Sequence, residues 1–456
     1  MKERKAIVVG AGLVGSLLTI LLAKRGYQVA VYEKRPDMRA AGFVGGRSIN
    51  LALSDRGWKA LQLAGIAEDI KAISIPMSGR MMHDINGKHT PQPYGKEGQA
   101  IYSVSRGELN LKLLDLADQF PNVSLNFDQG STGFDLLNNE VQLENETVSA
   151  PLIFGTDGAF SAVRSSMQRL PRFNYSQYYL QDGYKELHIP PGPGGTHQLE
   201  KNALHIWPRG KFMLIALPNE DGSFTCTLFL PFEGKESFEQ LQTPEDILAF
   251  FKKFFPDTVP LMPDLVQVFQ ENPTSSLVTV RCSPWHHENK ALLLGDAAHA
   301  IVPFYGQGMN SGFEDCTILY ELLETFGDDW DRIMPLFSNS RPLDSNAIAD
   351  LALRNFIEMR DLVGDPQFLL RKKIEAWLQD EFPKAFLPLY SMVTFSHLPY
   401  SLAWQEGQAQ DELFEKILAI PGVNQNWKTE AVKTVFQEWM QERERNERIY
   451  AKPSEL

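Results

Sequence analysis

Apolar residues fall in two rhythms along this chain. The first is a short unbroken run, Ala6-Ile7-Val8-Val9, followed by glycines and then by helical spacing from Ser16 to Arg25, which Gly26 closes. A second run, from Gln28 to Tyr32, ends in Glu33. Unbroken runs of this length read as strands buried on both faces, and a helix between two of them predicts a parallel βαβ unit. Helical spacing returns over Trp58, Leu61 and Leu63, with Ser54 as N-cap and Gly65 as the stop, and again from Glu108 to Phe120. From Pro76 to Tyr102 the rhythm changes. Met81-Met82-His83, the turn Asn86-Gly87 and a proline-containing stretch to Tyr94 predict a hairpin. Strand-like segments then alternate with turns from Val123 to Phe154. Three β-rich runs follow between Gly183 and Pro231: Ala203 to Trp207, Phe212 to Leu217 and Phe224 to Leu230. The last two are joined by the turn Pro218-Asn219-Glu220-Asp221-Gly222. Ile247 to Phe255 has helical period, Ala291 to Leu294 is a buried strand, and the chain is mostly helical after Gly312.

This order predicts an α/β fold in which a Rossmann-like GxGxxG domain is interrupted by a sheet domain. The expected division is residues 1–75, 101–182 and 285–365 for the nucleotide domain, 76–100 and 183–284 for the β-rich domain, and 366–456 for a helical C-terminal region.

Composition narrows the class. The chain has 456 residues, 43% hydrophobic and 22% charged, which suits a globular protein of two or three domains. A net charge of −13 argues against nucleic acid or an anionic membrane surface as partner. Cys226, Cys282 and Cys316 are scattered without CxxC spacing, so they read as reduced structural residues, not a disulfide framework or a zinc site. No signal peptide precedes the first strand, and no stretch reaches the ~18 apolar residues of a membrane span. The expected location is the cytoplasm. The charged stretch from Gln437 to Lys452 reads as a solvated helix end or a frayed tail.

Three segments carry candidate chemistry. In Gly10-Ala11-Gly12-Leu13-Val14-Gly15, Gly10 permits a tight turn, Gly12 lets backbone approach a pyrophosphate, and Gly15 lets helix and strand pack closely. The helix N-terminus offers free N–H groups to phosphate, and Glu33 can accept from a ribose 2′-hydroxyl. The second segment places Asp157-Gly158 after an apolar strand, before a helix that opens at Ser161. The third places Gly295-Asp296 after the strand from Ala291. Asp296 can accept from a ribityl or ribose hydroxyl there, and Ala297 and Ala298 leave room for a flat group. His299, beside Asp296, reads as a helix-start residue near a cofactor. Downstream, Pro303-Phe304-Tyr305-Gly306-Gln307-Gly308-Met309-Asn310 can set N–H groups against a flavin edge.

In this order the three segments resemble the FAD-dependent aromatic hydroxylases, the group A flavin monooxygenases. Arg106 resembles the arginine those enzymes carry ahead of a helix near the FAD pyrophosphate; the alternative is an exposed charge at a helix start. Longer strings are similar to the kynurenine 3-monooxygenases: residues 46–53, 183–187, 204–208, 213–219, 224–229, 302–310 and 390–396. The resemblance covers about Ala6 to Tyr400. Eukaryotic members carry an apolar anchoring C-terminal segment. Residues 401–456 contain none, so the likeness is to a soluble, bacterial-type form, and a mitochondrial location is not carried over.

The resemblance implies tightly bound FAD, NADPH as transient reductant, and O2 and L-kynurenine as substrates. The reaction it implies is hydroxylation to 3-hydroxy-L-kynurenine through a flavin C4a-hydroperoxide. It makes the nucleotide domain the FAD-binding domain and the sheet domain the substrate domain. Cofactor contacts would come from Gly10, Gly12, Leu13, Val14, Gly15, Glu33, Lys34, Arg35, Arg39, Ala52, Arg106, Asp157, Asp296, Gly308, Met309 and Asn310. Arg80, alone an unassigned cation in a β-like run, matches the family arginine that grips the substrate carboxylate. Tyr94, Asn355 and Tyr390 match its polar partners, and Leu204, Met213, Ile215, Leu217, Phe229, Pro303 and Phe304 the ring pocket. Met213, Ile215 and Leu217 share one strand face, as core or as pocket wall. Catalysis is expected to centre on the flavin, with polar assistance from Gln307 and Tyr305, and no metal is expected. Two readings remain beside this one: a hydroxylase of the same fold with another substrate, and a non-catalytic FAD-binding carrier.

Overall fold

In the computed structural model, which describes residues 4–40, 50–96, 98–362 and 365–450, the first strand Lys5–Val9 lies inside a six-stranded sheet. Its order is His286–His287, Ala291–Leu293, Leu152–Gly155, Lys5–Val9, Gln28–Tyr32, Val123–Asn126. All neighbours are parallel except the two-residue edge strand. The helix Leu13–Lys24 makes the crossover between the first two strands in sequence. It begins three residues before the periodicity suggested, inside the glycine motif itself. Helix and sheet bury Ile7, Val8, Leu17, Leu21, Ile153, Phe154 and Leu292 in one core.

The second large sheet has seven strands: Ser275–Ser283, Asn174–Ile189, Phe224–Pro231, Met213–Pro218, Ala203–Pro208, Gly79–His83 and His89–Pro93. The expected hairpin is its outer edge, with His83 opposite His89. Alternation divides its two faces. Trp207, Leu214, Ala216, Cys226 and Leu228 pack beneath the helices Pro244–Phe254 and Leu265–Glu271. Ile206, Met213 and Phe229 face the other way, toward Phe304, Tyr305 and the helix Trp330–Ile357. The strand Asn174–Ile189 runs through the boundary expected at 182/183, with a register shift between Tyr179 and Gly183.

A small sheet of Asn50–Leu53, Ile101–Ser105 and Ile75–Met77 bridges the two large ones. Ser54 stands at the N-cap of Asp55–Ala64, but its side chain makes no cap hydrogen bond. Its N–H donates to Asn310 and its hydroxyl lies 3.4 Å from the Gln307 amide oxygen. The C-terminal helices Pro366–Glu381, Tyr400–Leu418 and Glu430–Tyr450 pack around Ile374, Leu413, Phe414 and Phe436. Arg354 ties them to the long helix through two hydrogen bonds to Asp411, at 2.7 and 2.8 Å. Among the described residues no helix is long and apolar enough to cross a membrane. The glycine-rich stretch up to Gly46, residues 46–49 of the first resembling string and the tail beyond 450 lie outside the described residues.

Candidate active site

The three separated motifs meet at the C-terminal ends of adjacent parallel strands. Thr156 donates its N–H to Val9 O at 2.9 Å, and Leu294 donates to Gly155 O at 3.0 Å. Thr156 Oγ1 bonds the Val9 and Gly10 carbonyls, both at 2.9 Å. Gly10 has φ +99°, and a Cβ there would meet Thr156 O at 2.7 Å. At Gly15 a Cβ would stand 2.0 Å from Gly10 O, so the turn closes only around glycine. Val14 fills the space in front of Gly295 and Gly312, which brings the third motif against the first helix.

The residues present fit a dinucleotide. A Cβ at Gly12 would point into open space, with nothing within 4 Å, at the start of a helix that has no side-chain cap and no acid in its first turn. The helix Gly308–Phe326 also starts without a side-chain cap or first-turn acid. Both ends therefore present N–H groups and a partial positive charge. Asp157 Oδ2 accepts from the N–H of Ala162 at 2.7 Å, while its buried Oδ1 has no partner among the described residues. Burial raises the Asp157 pKa above the ordinary carboxyl value.

Glu33 accepts from the Ala11 N–H at 2.8 Å and from Arg35 Nε at 2.8 Å. Burial opposes its charge, but Arg35 and these hydrogen bonds hold its pKa below the usual carboxylate value. The acid is ionised and fixed at the end of the second strand. Lys34, Arg106 and Asp296 are exposed. Arg39 pairs with Asp37 and Asp118, both at 2.8 Å, which leaves it a structural cation as much as a ligand contact. Leu13 and Met309 are half-buried against the main core. Asn310 is fully buried and its side chain is consumed within the protein. Nδ2 donates to Ala52 O and Gly306 O, both at 2.8 Å, and Oδ1 accepts from Ser54. Asn310 thus clips the loop at Gly306 to the small sheet and has little side-chain capacity left for a cofactor.

Beside this cradle, three tyrosine rings lie nearly parallel. Tyr94 and Tyr390 are 5.2 Å apart at 10°, and Tyr390 and Tyr305 5.6 Å apart at 15°. The Arg80 guanidinium sits 4.9 Å from the Tyr390 ring and 5.4 Å from the Tyr94 ring. No carboxylate among the described residues forms an ion pair with it, and its Nε is buried without a hydrogen-bond partner there. A cation so placed is costly unless an anion joins it. Burial keeps the Tyr94 and Tyr305 phenols protonated, far above their ordinary pKa. Tyr94 Oη is also buried without a partner among the described residues. The clamp therefore offers a guanidinium and a neutral O–H to one acid group.

Apolar side chains continue from the clamp. Leu204 lies beside Arg80 in register, and Leu204 and Ile215 border both Met213-Phe229-Phe304 and Leu217-Tyr94. Phe304 stacks on Phe356 at 4.0 Å and tilts against Phe229 at 4.9 Å. Met213, Ile215 and Leu217 do share one strand face. Pro303 is exposed, at the start of the turn. Asn355 is brought here, but its Nδ2 donates to Phe304 O at 2.6 Å and touches Met359 Sδ. It holds the Pro303–Tyr305 turn, so a ligand meets its amide oxygen only.

Several residues at this site carried no signal in the sequence. Tyr400 donates to Gln307 Oε1 at 2.9 Å and covers Arg56, whose guanidinium lies 3.8 Å from the Tyr400 ring. Arg56 pairs with Glu314 and donates to the Val393 and Leu398 carbonyls. Below the third motif, Asp315 accepts from Gly295 N–H at 2.9 Å, His299 at 2.5 Å and Arg341 at 2.9 Å. His299 stacks on Trp285, as a supporting residue.

A family model described as an FAD binding domain matches residues 3–329. A kynurenine 3-monooxygenase from Flavobacterium psychrophilum is 50% identical over 438 residues, 95% of this chain and 97% of that protein. One from Sus scrofa is 46% identical over 419 residues, 90% of this chain and 88% of that protein. Among solved structures, 2-methyl-3-hydroxypyridine-5-carboxylic acid oxygenase aligns with a TM-score of 0.67 at 20% identity, over 83% of this chain and 98% of that one. At that identity the likeness speaks for the fold alone.

Proposed function

The chain belongs to the kynurenine 3-monooxygenases, FAD-dependent aromatic hydroxylases, and we propose on that premise that it adds one oxygen to the ring of L-kynurenine beside the amino group. FAD is the resident cofactor, with NADPH and O2 as co-substrates. When bound, FAD supplies the redox chemistry, taking hydride from NADPH and passing one oxygen atom of O2 to the ring and the other to water. The chain's own residues bind, orient and exclude water.

FAD would be held by Gly10, Gly12, Gly15, Glu33 and Asp157, by the Gly295-Asp296 turn, and by the N-terminus at Gly308 and Met309. Arg80 and Tyr94 take the substrate carboxylate. Leu204, Met213, Ile215, Phe229 and Phe304 enclose the aromatic ring and keep water from it. Gln307, its carbonyl oxygen held by Tyr400 and Ser54, turns its amide N–H groups away from those hydroxyls as donors for the reacting centre. The observation that carries the reading is the half-buried Arg80, set among tyrosines and ion-paired with no acid among the described residues. Neither another substrate nor a non-catalytic carrier has a feature in its favour, since a substrate without an acid group leaves Arg80 unpaired.

The nucleotide and sheet domains follow the order read from sequence, but the strands Asn174–Ile189 and Ile75–Met77 cross the expected 182/183 and 75/76 divisions. A cytoplasmic home belongs to the same reading and is supported by the three free, buried cysteines. Replacing Arg80 with methionine tests the assignment. The expected result is a KM for L-kynurenine raised at least ~30-fold, about 2 kcal/mol, with FAD content unchanged. An unchanged KM removes Arg80 from the site.

A further inference from the structure

On the face of the large sheet opposite Arg80, three histidines and one acid converge. His83 is three residues beyond Arg80 on the same strand and so points the other way. It stacks on Trp207 at 4.0 Å. His205 Nε2 lies 2.9 Å from Glu200 O, His205 Nδ1 lies 2.8 Å from His83 Nε2, and His83 Nδ1 lies 3.2 Å from Asp257 Oδ2.

Counting hydrogens along this row exposes a conflict. A carbonyl oxygen only accepts, so His205 must carry its hydrogen on Nε2. A neutral His205 then accepts at Nδ1, and His83 must donate from Nε2. A neutral His83 is left with a bare lone pair on Nδ1, aimed at a carboxylate oxygen. Two lone pairs cannot face each other at 3.2 Å without a positive charge between them. A metal ion or a second imidazole proton supplies such a charge. The facing carboxylate is that of Asp257, whose Oδ2 also accepts from Trp207 Nε1 at 2.8 Å. Its Oδ1 is buried without a hydrogen-bond partner among the described residues.

A third donor stands close by. His89 faces His83 across the hairpin, with ring centroids 4.2 Å apart. One ligand atom each from His83, His89 and Asp257 lie within 4.8 Å of one another. A tetrahedral ion with bonds of about 2.0–2.1 Å separates its ligands by about 3.3 Å, close to the His83–Asp257 spacing. His89 lies on the exposed strand and can close the remainder by turning its ring. His205, with the backbone carbonyl behind it, then serves as the outer partner that fixes the tautomer of a metal-binding histidine. Arg209, the neighbouring cation, is engaged by the carbonyls of His83 and Phe254.

We propose that His83, His89 and Asp257 form a binding site for a divalent transition ion of the zinc type, with its fourth position open to water. Two imidazoles and one carboxylate favour zinc or cobalt over calcium or magnesium. The ion joins the hairpin that carries Arg80 and Tyr94 to the loop after Pro244–Phe254, so it stiffens the substrate side from behind.

The test titrates chelator-treated, FAD-loaded protein with zinc chloride, and separately with calcium chloride, by calorimetry. The expected result is one zinc per chain with micromolar or tighter affinity, no calcium heat, and a melting temperature raised by zinc. His89→Ala, an exposed change, should weaken zinc binding at least 10-fold while metal-free hydroxylation and FAD content stay as in the parent. Asp257→Asn should do the same to binding. Absence of one-to-one zinc binding, or equal binding in H89A, overturns the proposal. Nitrogen NMR of the zinc-free protein showing both His83 nitrogens protonated at neutral pH also overturns it, because a proton then fills the gap.

Discussion

Tyr400 and Gln307 are 93 residues apart and share one hydrogen bond, 2.9 Å from the phenol oxygen to the amide oxygen. Both side chains are buried, and the tyrosine opens the helix Tyr400–Leu418, which thereby meets the loop after Pro303–Tyr305. With the phenol as donor, Gln307 meets Tyr400 through its amide oxygen and leaves its nitrogen for other partners.

Tyr400→Phe keeps the ring over Arg56 and removes only the hydroxyl. The expected cost in global stability is about 1 kcal/mol. The larger effect should be on coupling: more NADPH consumed per hydroxylated product, with KM for L-kynurenine within about twofold of the parent. Parallel assays of NADPH, peroxide and product check this. Coupling equal to the parent would show that Gln307 needs no such hold.

The glycine motif separates folding from cofactor binding. Gly12→Ala places a methyl in open space at ordinary φ, so the cofactor-free fold should melt within about 2 °C of the parent and yet retain little FAD. Gly15→Ala drives a methyl into Gly10 O and should lower the melting point of the cofactor-free protein itself. Thermal melts and flavin absorbance of the two variants distinguish the roles.

Asp315 gives the stability a defined acid limb. Burial raises its pKa, but His299 and Arg341 outweigh this and hold it below the ordinary aspartate value. A depressed folded pKa means the contribution is present above about pH 4 and lost as pH falls through the folded value. Asp315→Asn leaves Arg341 buried with a weakened partner set, and should cost about 3–5 kcal/mol near neutrality. Urea unfolding at a series of pH values should show the gap between parent and variant narrowing only below pH 4.

These contacts mark where sequence reading stopped. Gly10, Gly12 and Gly15 were legible because their requirement is local: a turn, a helix start and a close approach within six positions. Met213, Ile215 and Leu217 were legible because alternation along a strand is local too. Arg80, Tyr94 and Tyr390 were reached through resemblance, since their chemistry exists only once residues some 300 apart are stacked. Arg56, Asp315, Arg341 and Tyr400 gave no signal. Each looks like an ordinary helix residue until the fold sets it beneath a motif. Asn310 and Asn355 are expected from sequence to be ligand contacts, but their amides hold backbone carbonyls, which no spacing rule reveals. Ser54 holds the N-cap position expected of it, but without a side-chain cap bond, and its N–H donates across 256 residues to Asn310.

The central claim is that bound FAD and the Arg80 clamp act together on one amino acid. The most direct test follows NADPH oxidation by the FAD-loaded protein under air, with and without L-kynurenine, and weighs the product. The expected result is oxidation accelerated by L-kynurenine and a product heavier by one oxygen atom on the aromatic ring. Oxidation indifferent to L-kynurenine, with all reducing equivalents recovered as peroxide and the amino acid unchanged, contradicts it.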